Sequence, residues 1–549
     1  MSSPIVKRFL LSIPIVCLLY LLLSKTPQGP ADIFAFKRFH RSQEQLRIPI
    51  NRLIVNDSDC RRIPIPLKVQ HADSEGLLNA DFINPVGASK IKAPRALTDL
   101  TQCPSSPNQF TGHIRLPNVL YNISMSPITA TSKDTRRFWN PTIFALPYWS
   151  KNQYLIVNMV ASHGELYRRN VLCEANICHP PSETFKNSRE KSCTEDDLEI
   201  LGSNGGLRCV TTPIEVDVPP TPAERCDGME ELLADIPGFH DPRLFYSGRG
   251  EPILMVASQS RYACIGLWAI DLRAVYPDIK ETFASSPRRL GPGPLMSYPT
   301  LTELTRNPPS TRRSYEKNWV MFSPSSLVSY LQYELNSTTR TFAQLIGAGL
   351  TTTNQTDISE EPCLSEPTPL DVSGGHFVAG ASWHQATPAL KLVLCTRSNS
   401  TCTNRFGETV FFAVIHKKHV NEYGLPMRYE RYFVVWSATP PFNMLGVSQN
   451  PILLANETSR GWTAEEIWDD VEETRSGSRT EWGQFTYTTT IAYAWGREES
   501  DIREKGMGYL DDEVILSVGI DDQNGLYAKV KVSDLLQCLR ICPGRMPIW

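Results

Sequence analysis

The sequence of 549 residues has no excess of charge of either sign. Lysine and arginine together number 55 and aspartate and glutamate 58, which gives a formal net charge of −3. Charges of both signs are interspersed, so there is no basic stripe that could follow a nucleic-acid backbone and no acidic tail. We therefore expect no nucleic-acid partner.

Several catalytic and metal-binding patterns are also missing. The sequence has no Gly-x-Ser-x-Gly elbow, no Walker loop and no His-Glu-x-x-His pattern. The closely spaced cysteines Cys173 and Cys178, and Cys538 and Cys542, have no second pair at zinc-finger spacing. We therefore expect neither a bound metal nor a cofactor.

The sequence has one long apolar run, from Phe9 to Leu23, which follows Lys7 and Arg8. As a helix it would rise about 22 Å, which suits a signal-peptide core or an anchor in a thin early-secretory membrane. No Ala-x-Ala-like cleavage site follows it. This favours an uncleaved signal-anchor over residues 9–24 with residues 1–8 in the cytoplasm, and the alternative is a cleaved signal peptide and a secreted product.

Two features agree with passage through the secretory pathway. Beyond Cys17 the chain has thirteen of its fourteen cysteines, which in an oxidising lumen predict disulfides and leave at least one cysteine outside an internal pair. We expect a single-pass type II protein of the ER or Golgi membrane with a lumenal domain. Glycosylation is predicted at the Asn-x-Ser/Thr positions Asn56, Asn122, Asn336, Asn354, Asn399 and Asn456.

The remaining chain divides into two parts by composition. Residues 25–105 are rich in proline and arginine with little periodicity, as in a stem or a strap lying across a domain. Over residues 106–549, short apolar strands such as Tyr154–Val160 and Thr409–His416 recur between Gly, Pro and Asn turns. This predicts an all-β fold, and the number of strands favours a β-propeller over a sandwich or barrel. No exact internal repeat is visible, so periodicity does not give the number of blades.

Two polar stretches carry the chemistry, residues 238–245 and 315–319. Asp241 precedes Pro242, which restricts the backbone, and Arg243 could neutralise an anion. Taken alone, Asp-Pro-Arg is also a common turn opener. Lys317 could hold a phosphate as a point charge.

These stretches belong to a set of short motifs that resembles, in order, five-bladed β-propeller proteins related to β-mannoside phosphorylases and β-mannosyltransferases. The resemblance covers roughly residues 139–535. The chain is also similar to uncharacterised fungal-type secretory-pathway proteins that share the Glu-Lys-Asn-Trp block. The motifs are Asp241-Pro242-Arg243, Glu316-Lys317-Asn318-Trp319, Ser373-Gly374-Gly375-His376 with Trp383-His384, Ala413-Val414-Ile415-His416, Pro440-Pro441-Phe442 and the segment 512–522.

The resemblance implies a five-bladed propeller with a funnel at its axis, in which Asp241 is the general acid or base. His240 stands where the family has Glu, which is a departure from the family pattern. The substrate-binding residues implied by the resemblance are Arg243 and Lys317 for phosphate, Glu316 and Asn318 for sugar hydroxyls, Trp319 for sugar stacking, and His384, His416 and Asp522 as further partners.

Some of these residues have plain structural alternatives. Trp319 opens an apolar strand, so it could equally pack in the core. His416 ends an apolar strand, where a histidine with an internal hydrogen bond is expected. Asp522 precedes Gln523-Asn524-Gly525, which is a hairpin signal, so turn chemistry also explains it.

The sequence therefore predicts a glycosyltransferase-like enzyme that transfers mannose from a phosphate-bearing donor, a nucleotide sugar or sugar phosphate, to a glycan acceptor. One alternative is a glycoside hydrolase or phosphorylase acting on mannosides. A two-carboxylate hydrolase requires Glu316 or Asp522 to face Asp241 at about 5–9.5 Å. Another alternative is a noncatalytic glycan-binding propeller, which His240 would support.

Overall fold

The computed structural model describes residues 61–64, 67–68, 94–103, 106–108, 112–126, 137–161, 168–181, 191–217, 221–228, 231–234, 238–284, 295–336, 339–357, 361–365, 382–397, 399, 409–419, 427–457, 469, 485–495 and 507–543. The predicted cytoplasmic tail, the apolar segment, most of the stem, Asn56 and the motif at 373–376 lie outside these residues. No helix among the described residues has the length and apolar character needed to span a membrane.

The described chain consists mainly of β-strands, which confirms the predicted all-β class. In chain order the strands are β1 Arg61–Pro64, β2 Leu67–Lys68, β3 Ile114–Arg115, β4 Tyr121–Ser124, β5 Arg137–Ala145, β6 Tyr154–Ala161, β7 Arg169–His179, β8 Lys191–Ser192, β9 Gly206–Cys209, β10 Ile214–Asp217, β11 His240–Tyr246, β12 Pro252–Gln259, β13 Ile265–Asp271, β14 Leu301–Glu303, β15 Val320–Phe322, β16 Tyr330–Leu335, β17 Arg340–Gly347, β18 Leu350–Thr351, β19 Gln355–Asp357, β20 Ser382–Gln385, β21 Leu390–Val393, β22 Thr409–His419, β23 Arg428–Ser437, β24 Met444–Ser448, β25 Ile452–Leu453, β26 Thr486–Tyr493, β27 Met507–Tyr509, β28 Glu513–Ile520, β29 Asn524–Lys531 and β30 Leu539–Ile541.

The α-helices of the described residues are at most two turns long and lie in connections between strands. They are α1 Arg95–Asp99, α2 Glu195–Leu201, α3 Glu231–Ala234, α4 Leu272–Val275, α5 Lys280–Ala284, α6 Glu361–Leu364 and α7 Val532–Leu536. Two 3₁₀ turns span Pro277–Ile279 and Pro309–Thr311.

Many strands of the described residues pair antiparallel with the next strand along the chain. The pairing gives the runs β5–β6–β7–β10, β11–β12–β13–β14, β15–β16–β17–β19, β21–β22–β23–β24 and β26–β28–β29. The last run returns to the first, because β4 pairs with both β29 and β9, and β9 pairs with β7.

The hydrophobic core lies between successive runs of strands. Leu155 of β6 packs in one cluster with Leu254 of β12, whereas its neighbour Ile156 packs in another cluster with Ile515 of β28. The first run is therefore covered by the second run on one face and by the last run on the other. Strands buried on both faces have continuous apolar sequences instead of alternating ones. In the described residues the result is a nearly closed, propeller-like arrangement of sheets.

Described parts of the predicted stem lie against these sheets. β1 adds in parallel to β10, and β2 adds in parallel to β14, so these two short strands extend the edges of two neighbouring runs. Leu97 of α1 is buried in the same cluster as Leu516 of β28. These described residues therefore pack against the sheets of the fold, and the division into a stem or strap and a propeller domain stays a prediction.

The expected disulfides are confirmed among the described cysteines. Cys173 and Cys178, which we considered as zinc ligands, are each bonded to a different cysteine, and Cys395 is also disulfide-bonded. The pairs described in full are Cys103–Cys538, Cys173–Cys209, Cys178–Cys193, Cys226–Cys264 and Cys363–Cys542.

A glutamate in β14 is buried without a cationic side chain in hydrogen-bonding contact. Glu303 is 0% exposed, and it accepts hydrogen bonds from the Ser260 hydroxyl and the backbone amides of Arg261 and Tyr262. Burial raises the pKa of Glu303 to about 7, although these hydrogen bonds favour the charged form. The folded state therefore binds the proton more tightly than the unfolded state.

We predict that Glu303 makes the protein less stable as the pH rises. The contribution is fully favourable below the ordinary glutamate pKa and is lost as the pH rises through about 7. Between about pH 5 and pH 8 this residue should lower the free energy of unfolding by about 2 kcal/mol. Unfolding followed by circular dichroism at both pH values should show a smaller pH dependence for Glu303→Gln. An unchanged dependence would contradict the assignment.

Candidate active site

Two inner strands carry the same local irregularity. Asn140 in β5 and Asp241 in β11 both have positive φ, 50° and 46°, and each precedes a proline. The register of each strand with its neighbour shifts at this point. Asn and Asp tolerate left-handed backbone, and a bulge re-aims the side chain. β5 and β11 are adjacent, since the Leu244 amide donates to the Thr142 hydroxyl at 2.9 Å.

The chain leading to Asp241 is fixed against β7. Gly238 has a φ of 106°, and a Cβ there would lie 2.0 Å from the carbonyl oxygen of Arg168. The Phe239 amide donates to the same oxygen, and the Phe239 carbonyl accepts from Asn170 Nδ2 at 3.0 Å. Only glycine fits this close approach, so Gly238 is needed to place Asp241.

Asp241 forms an ion pair with Lys317. The Lys317 Nζ lies 2.6 Å from Asp241 Oδ2, and the Asp241 side chain is 18% exposed. Burial alone would raise the pKa of Asp241, but the positive charges of Lys317 and Arg243 outweigh this and hold the pKa well below its usual range. Asp241 is therefore ionised at neutral pH.

A second carboxylate faces Asp241 across one amide group. Asp522 lies at the tip of the β28–β29 hairpin, where its φ of 48° and that of Asp521, 53°, form the tight turn. Asn140 Nδ2 lies 3.4 Å from Asp241 Oδ1 and 3.2 Å from Asp522 Oδ1. The two carboxylate oxygens are no further apart than the sum of these contacts. They are close enough to flank one glycosidic bond, since glycosidase carboxyl pairs are about 5–9.5 Å apart.

The surroundings shift the pKa values of the two carboxyl groups in opposite directions. Partial desolvation by the surrounding residues, together with the negative charge of Asp241, raises the pKa of Asp522. Asp522 keeps contact with solvent, which limits the size of this shift. A pair of carboxyl groups with pKa values pushed apart can divide the roles of acid and base.

The structure corrects the expected role of Arg243, which was to bind a phosphate. Its Nε donates to the Ala386 carbonyl at 2.9 Å, and Nη1 donates to the carbonyls of Asp241 and Pro242, both at 3.1 Å. Arg243 is also only 6% exposed. The guanidinium therefore holds the bulge around Asp241 and is not presented to a ligand.

The structure also corrects Glu316 and Trp319, which the resemblance placed in the sugar site. Glu316 accepts from Trp319 Nε1 at 3.1 Å and pairs with Arg306 at 3.2 Å. Trp319 is 3% exposed, and its ring meets that of Tyr333 edge-on at 4.6 Å. In extended chain, successive side chains point to opposite sides. Lys317 therefore reaches Asp241 while Glu316 points into the core.

The remaining predicted residues lie at or behind the cleft. Asn318 has a φ of 58°, and its carbonyl accepts from Gln385 Nε2. His416 is 0% exposed and accepts a hydrogen bond from the Thr488 amide at 3.4 Å. This agrees with the alternative that His416 is a buried histidine with an internal hydrogen bond. His384 is half-buried and contacts the Ser382 hydroxyl at 3.0 Å.

Sequence reasoning missed three residues of the cleft. The ring of Tyr487 lies 5.1 Å from that of Tyr429 and 6.0 Å from the guanidinium of Arg243. Asn140 is the group between the two carboxylates. The sequence does contain a pattern that could have identified Asn140, because Asn140-Pro141 resembles Asp241-Pro242. The tyrosines have no comparable local signal.

Comparisons with known proteins give structural likenesses only. No family model matches the chain, and no curated protein matches it. A beta-1,2-mannobiose phosphorylase from Listeria innocua, in complex with beta-1,2-mannobiose, has a TM-score of 0.34 and 10% identity over 75% of this chain and 95% of its own. The alpha-L-arabinofuranosidase PaAbf62A from Podospora anserina, in complex with cellotriose, has a TM-score of 0.29 and 9% identity over 76% and 99%.

An endo-1,4-beta-xylanase from Bacteroides thetaiotaomicron has a TM-score of 0.31 and 11% identity over 74% of this chain and 94% of its own. Likenesses at this level do not establish a shared activity. The geometry of the cleft is therefore the basis for a function.

Proposed function

We propose that the protein is a carbohydrate-active enzyme that cleaves glycosidic bonds, with Asp522 as general acid and Asp241 as base or nucleophile. The observation that carries this proposal is the pair of carboxylates that share the amide of Asn140. A glycosidase needs one protonated and one ionised carboxyl group on either side of the scissile bond.

The opposite pKa shifts suit this division of roles. Asp522, whose pKa is raised, would donate its proton to the glycosidic oxygen as the bond to the anomeric carbon breaks. Asp241, which Lys317 keeps ionised, would either attack the anomeric carbon or remove a proton from an attacking water. Asn140, which donates to both carboxyl groups, would fix their positions relative to each other.

The same contacts weaken the case for transfer from a phosphate-bearing donor. The cations that such a donor would use are engaged, because Arg243 donates to backbone carbonyls and Lys317 pairs with Asp241. The hydrolase alternative therefore fits the cleft better than the mannosyltransferase predicted first. Mannosides remain the proposed substrates on the ground of the sequence resemblance.

We further propose that the runs of strands are five blades around one axis, with β26–β28–β29 and β4 forming the last. The secretory location and the N-terminal signal-anchor also remain proposals. Asn122, Asn399 and Asn456 are exposed, whereas Asn336 and Asn354 are half-buried. Glycosylation at these positions would support a lumenal location.

We predict that Asp241→Asn and Asp522→Asn each lower kcat at least about 100-fold, because each removes one of the two carboxyl roles. The purified full chain should be assayed on aryl mannosides and on mannobiosides, with and without inorganic phosphate. Asp521→Asn is a matched control, since Asp521 lies in the same turn but accepts from the Phe485 amide, which asparagine can still do.

Three outcomes of this assay would count against the proposal. Turnover only with phosphate would indicate phosphorolysis. Transfer from GDP-mannose without hydrolysis would restore the transferase hypothesis. Glycan binding without turnover in the wild type would indicate a noncatalytic propeller.

The ion pair predicts a change in the pH dependence of activity. Lys317 lowers the pKa of Asp241 and also that of Asp522. In Lys317→Met both limbs of the kcat/KM profile should therefore move to higher pH, and the acidic limb should enter the range above about pH 4. Lys317→Arg should retain the wild-type limbs. Limbs that stay in place in Lys317→Met would show that Asp241 does not carry the acidic limb.

Gly519 in β28 provides the space for Asn140. A Cβ at Gly519 would lie 2.3 Å from Asn140 Oδ1, so Gly519→Ala must displace that side chain. We predict that Gly519→Ala and Asn140→Ala each lower kcat about 10-fold or more, and that their effects are not additive in the double variant. If the two effects on kcat were fully additive in variants of equal thermal stability, Gly519→Ala would act through a group other than Asn140.

A further inference from the structure

A polar face of the fourth run of strands lies beside the two carboxylates. In the antiparallel pairing of β20 with β22, Ser382 is opposite Lys418 and His384 is opposite His416. In the pairing of β22 with β23, Lys418 is opposite Tyr429. Directly opposite residues share a face of the sheet. This face, formed by Ser382, His384, Lys418 and Tyr429, is called the basic face below.

The basic face is continuous with the carboxylate site. The ring of Tyr429 lies 6.4 Å from that of His384 and 5.1 Å from that of Tyr487, which borders Arg243. Lys317, the partner of Asp241, is close enough that its charge acts on Lys418 and on His384. A substrate held between the carboxylates can therefore reach the basic face.

Lys418 carries a charge that no acidic side chain of the described residues neutralises. It is half-buried, and burial together with repulsion from Lys317 lowers its pKa. By contrast, Lys317 is paired with Asp241, and the adjacent Lys417 lies on the other face over the ring of Trp383 at 5.4 Å. A half-buried ammonium group without a counter-ion is unfavourable unless a ligand supplies one.

The neighbouring groups can complete an anion site. Ser382 and Tyr429 have hydroxyl donors, and the Tyr429 hydroxyl donates to the weakly accepting sulfur of Met427 at 3.0 Å. Burial and the charges of Lys418 and Lys317 lower the pKa of His384 to about 4, so it is a neutral imidazole at neutral pH. One net positive charge therefore faces this part of the cleft.

We propose that Lys418, with the hydroxyls of Ser382 and Tyr429, binds the carboxylate of an acidic sugar in the substrate. A carboxylate carries one negative charge and matches one ammonium group, whereas a phosphate dianion would need a second cation. Lys317 and Arg243 are already engaged. This subsite rests on the proposed function, because it deepens the substrate class to glycans that contain a uronic acid.

The test is binding of matched acidic and neutral sugars to the full chain by calorimetry. Methyl glucuronide should bind at least tenfold more tightly than methyl glucoside. Added salt should lower the affinity for the glucuronide but not for the glucoside. Lys418→Gln should lose at least tenfold in affinity for the glucuronide, and Lys418→Arg should retain most of it. Lys531→Gln removes an exposed lysine of β29 and should change neither affinity.

Several results would overturn the proposal. One is equal affinity of the wild type for glucuronide and glucoside, and another is a glucuronide affinity that Lys418→Gln leaves intact in a normally folded protein. Tighter binding of inorganic phosphate or mannose 6-phosphate that depends on Lys418 would make this a phosphate site instead.

The outcomes separate this subsite from the proposed function. Cleavage of neutral mannosides that depends on Asp241, combined with no preference for glucuronide, would reject only the subsite. Glucuronide binding that depends on Lys418, combined with no cleavage of any glycoside, would reject only the proposed function.

Discussion

The amide of Asn140, placed between Asp241 and Asp522, is the contact on which the account of this protein depends. Two carboxylates at this spacing would repel each other and bind protons in common if nothing separated them. The amide group donates to both carboxylates, while Lys317 forms its ion pair with Asp241 and acts on Asp522 only through its charge. Lys317 and Arg243 hold the pKa of Asp241 well below its usual range, whereas burial and the charge of Asp241 raise the pKa of Asp522.

The fold supplies this contact from three separate parts of the chain. Asn140 comes from β5, Asp241 from β11 and Asp522 from the turn after β28. β11 lies beside β5, and the last run of strands returns to the first and brings the β28–β29 turn to the same place. The positive φ of all three residues and the space left at Gly519 set the direction of their side chains. Local strain of this kind is commonly kept where a site requires a fixed geometry.

The sequence predicted the all-β class and many strands, such as Tyr154–Val160 and Thr409–His416, because strands buried on both faces have long apolar runs. It also predicted site roles for Asp241, Lys317 and Asp522, and the structure places these three side chains close together. It predicted no strand over His240–Tyr246, where Asp-Pro-Arg also fits a turn, and in the structure the bulge at Asp241 accommodates Pro242 within a strand. Side-chain partners such as those of Arg243 and Glu316 depend on distant segments, so no local pattern could reveal them.

The central claim is that Asp522 and Asp241 have different roles, and the dependence of rate on leaving group tests it most directly. Asp522→Asn and Asp241→Asn should be compared on a mannoside with an activated dinitrophenyl leaving group and on one with a sugar leaving group. A good leaving group needs no protonation. The account predicts that Asp522→Asn keeps most of its activity on the dinitrophenyl mannoside, while Asp241→Asn loses activity on both. Equal losses for Asp522→Asn on the two substrates would contradict its role as the acid.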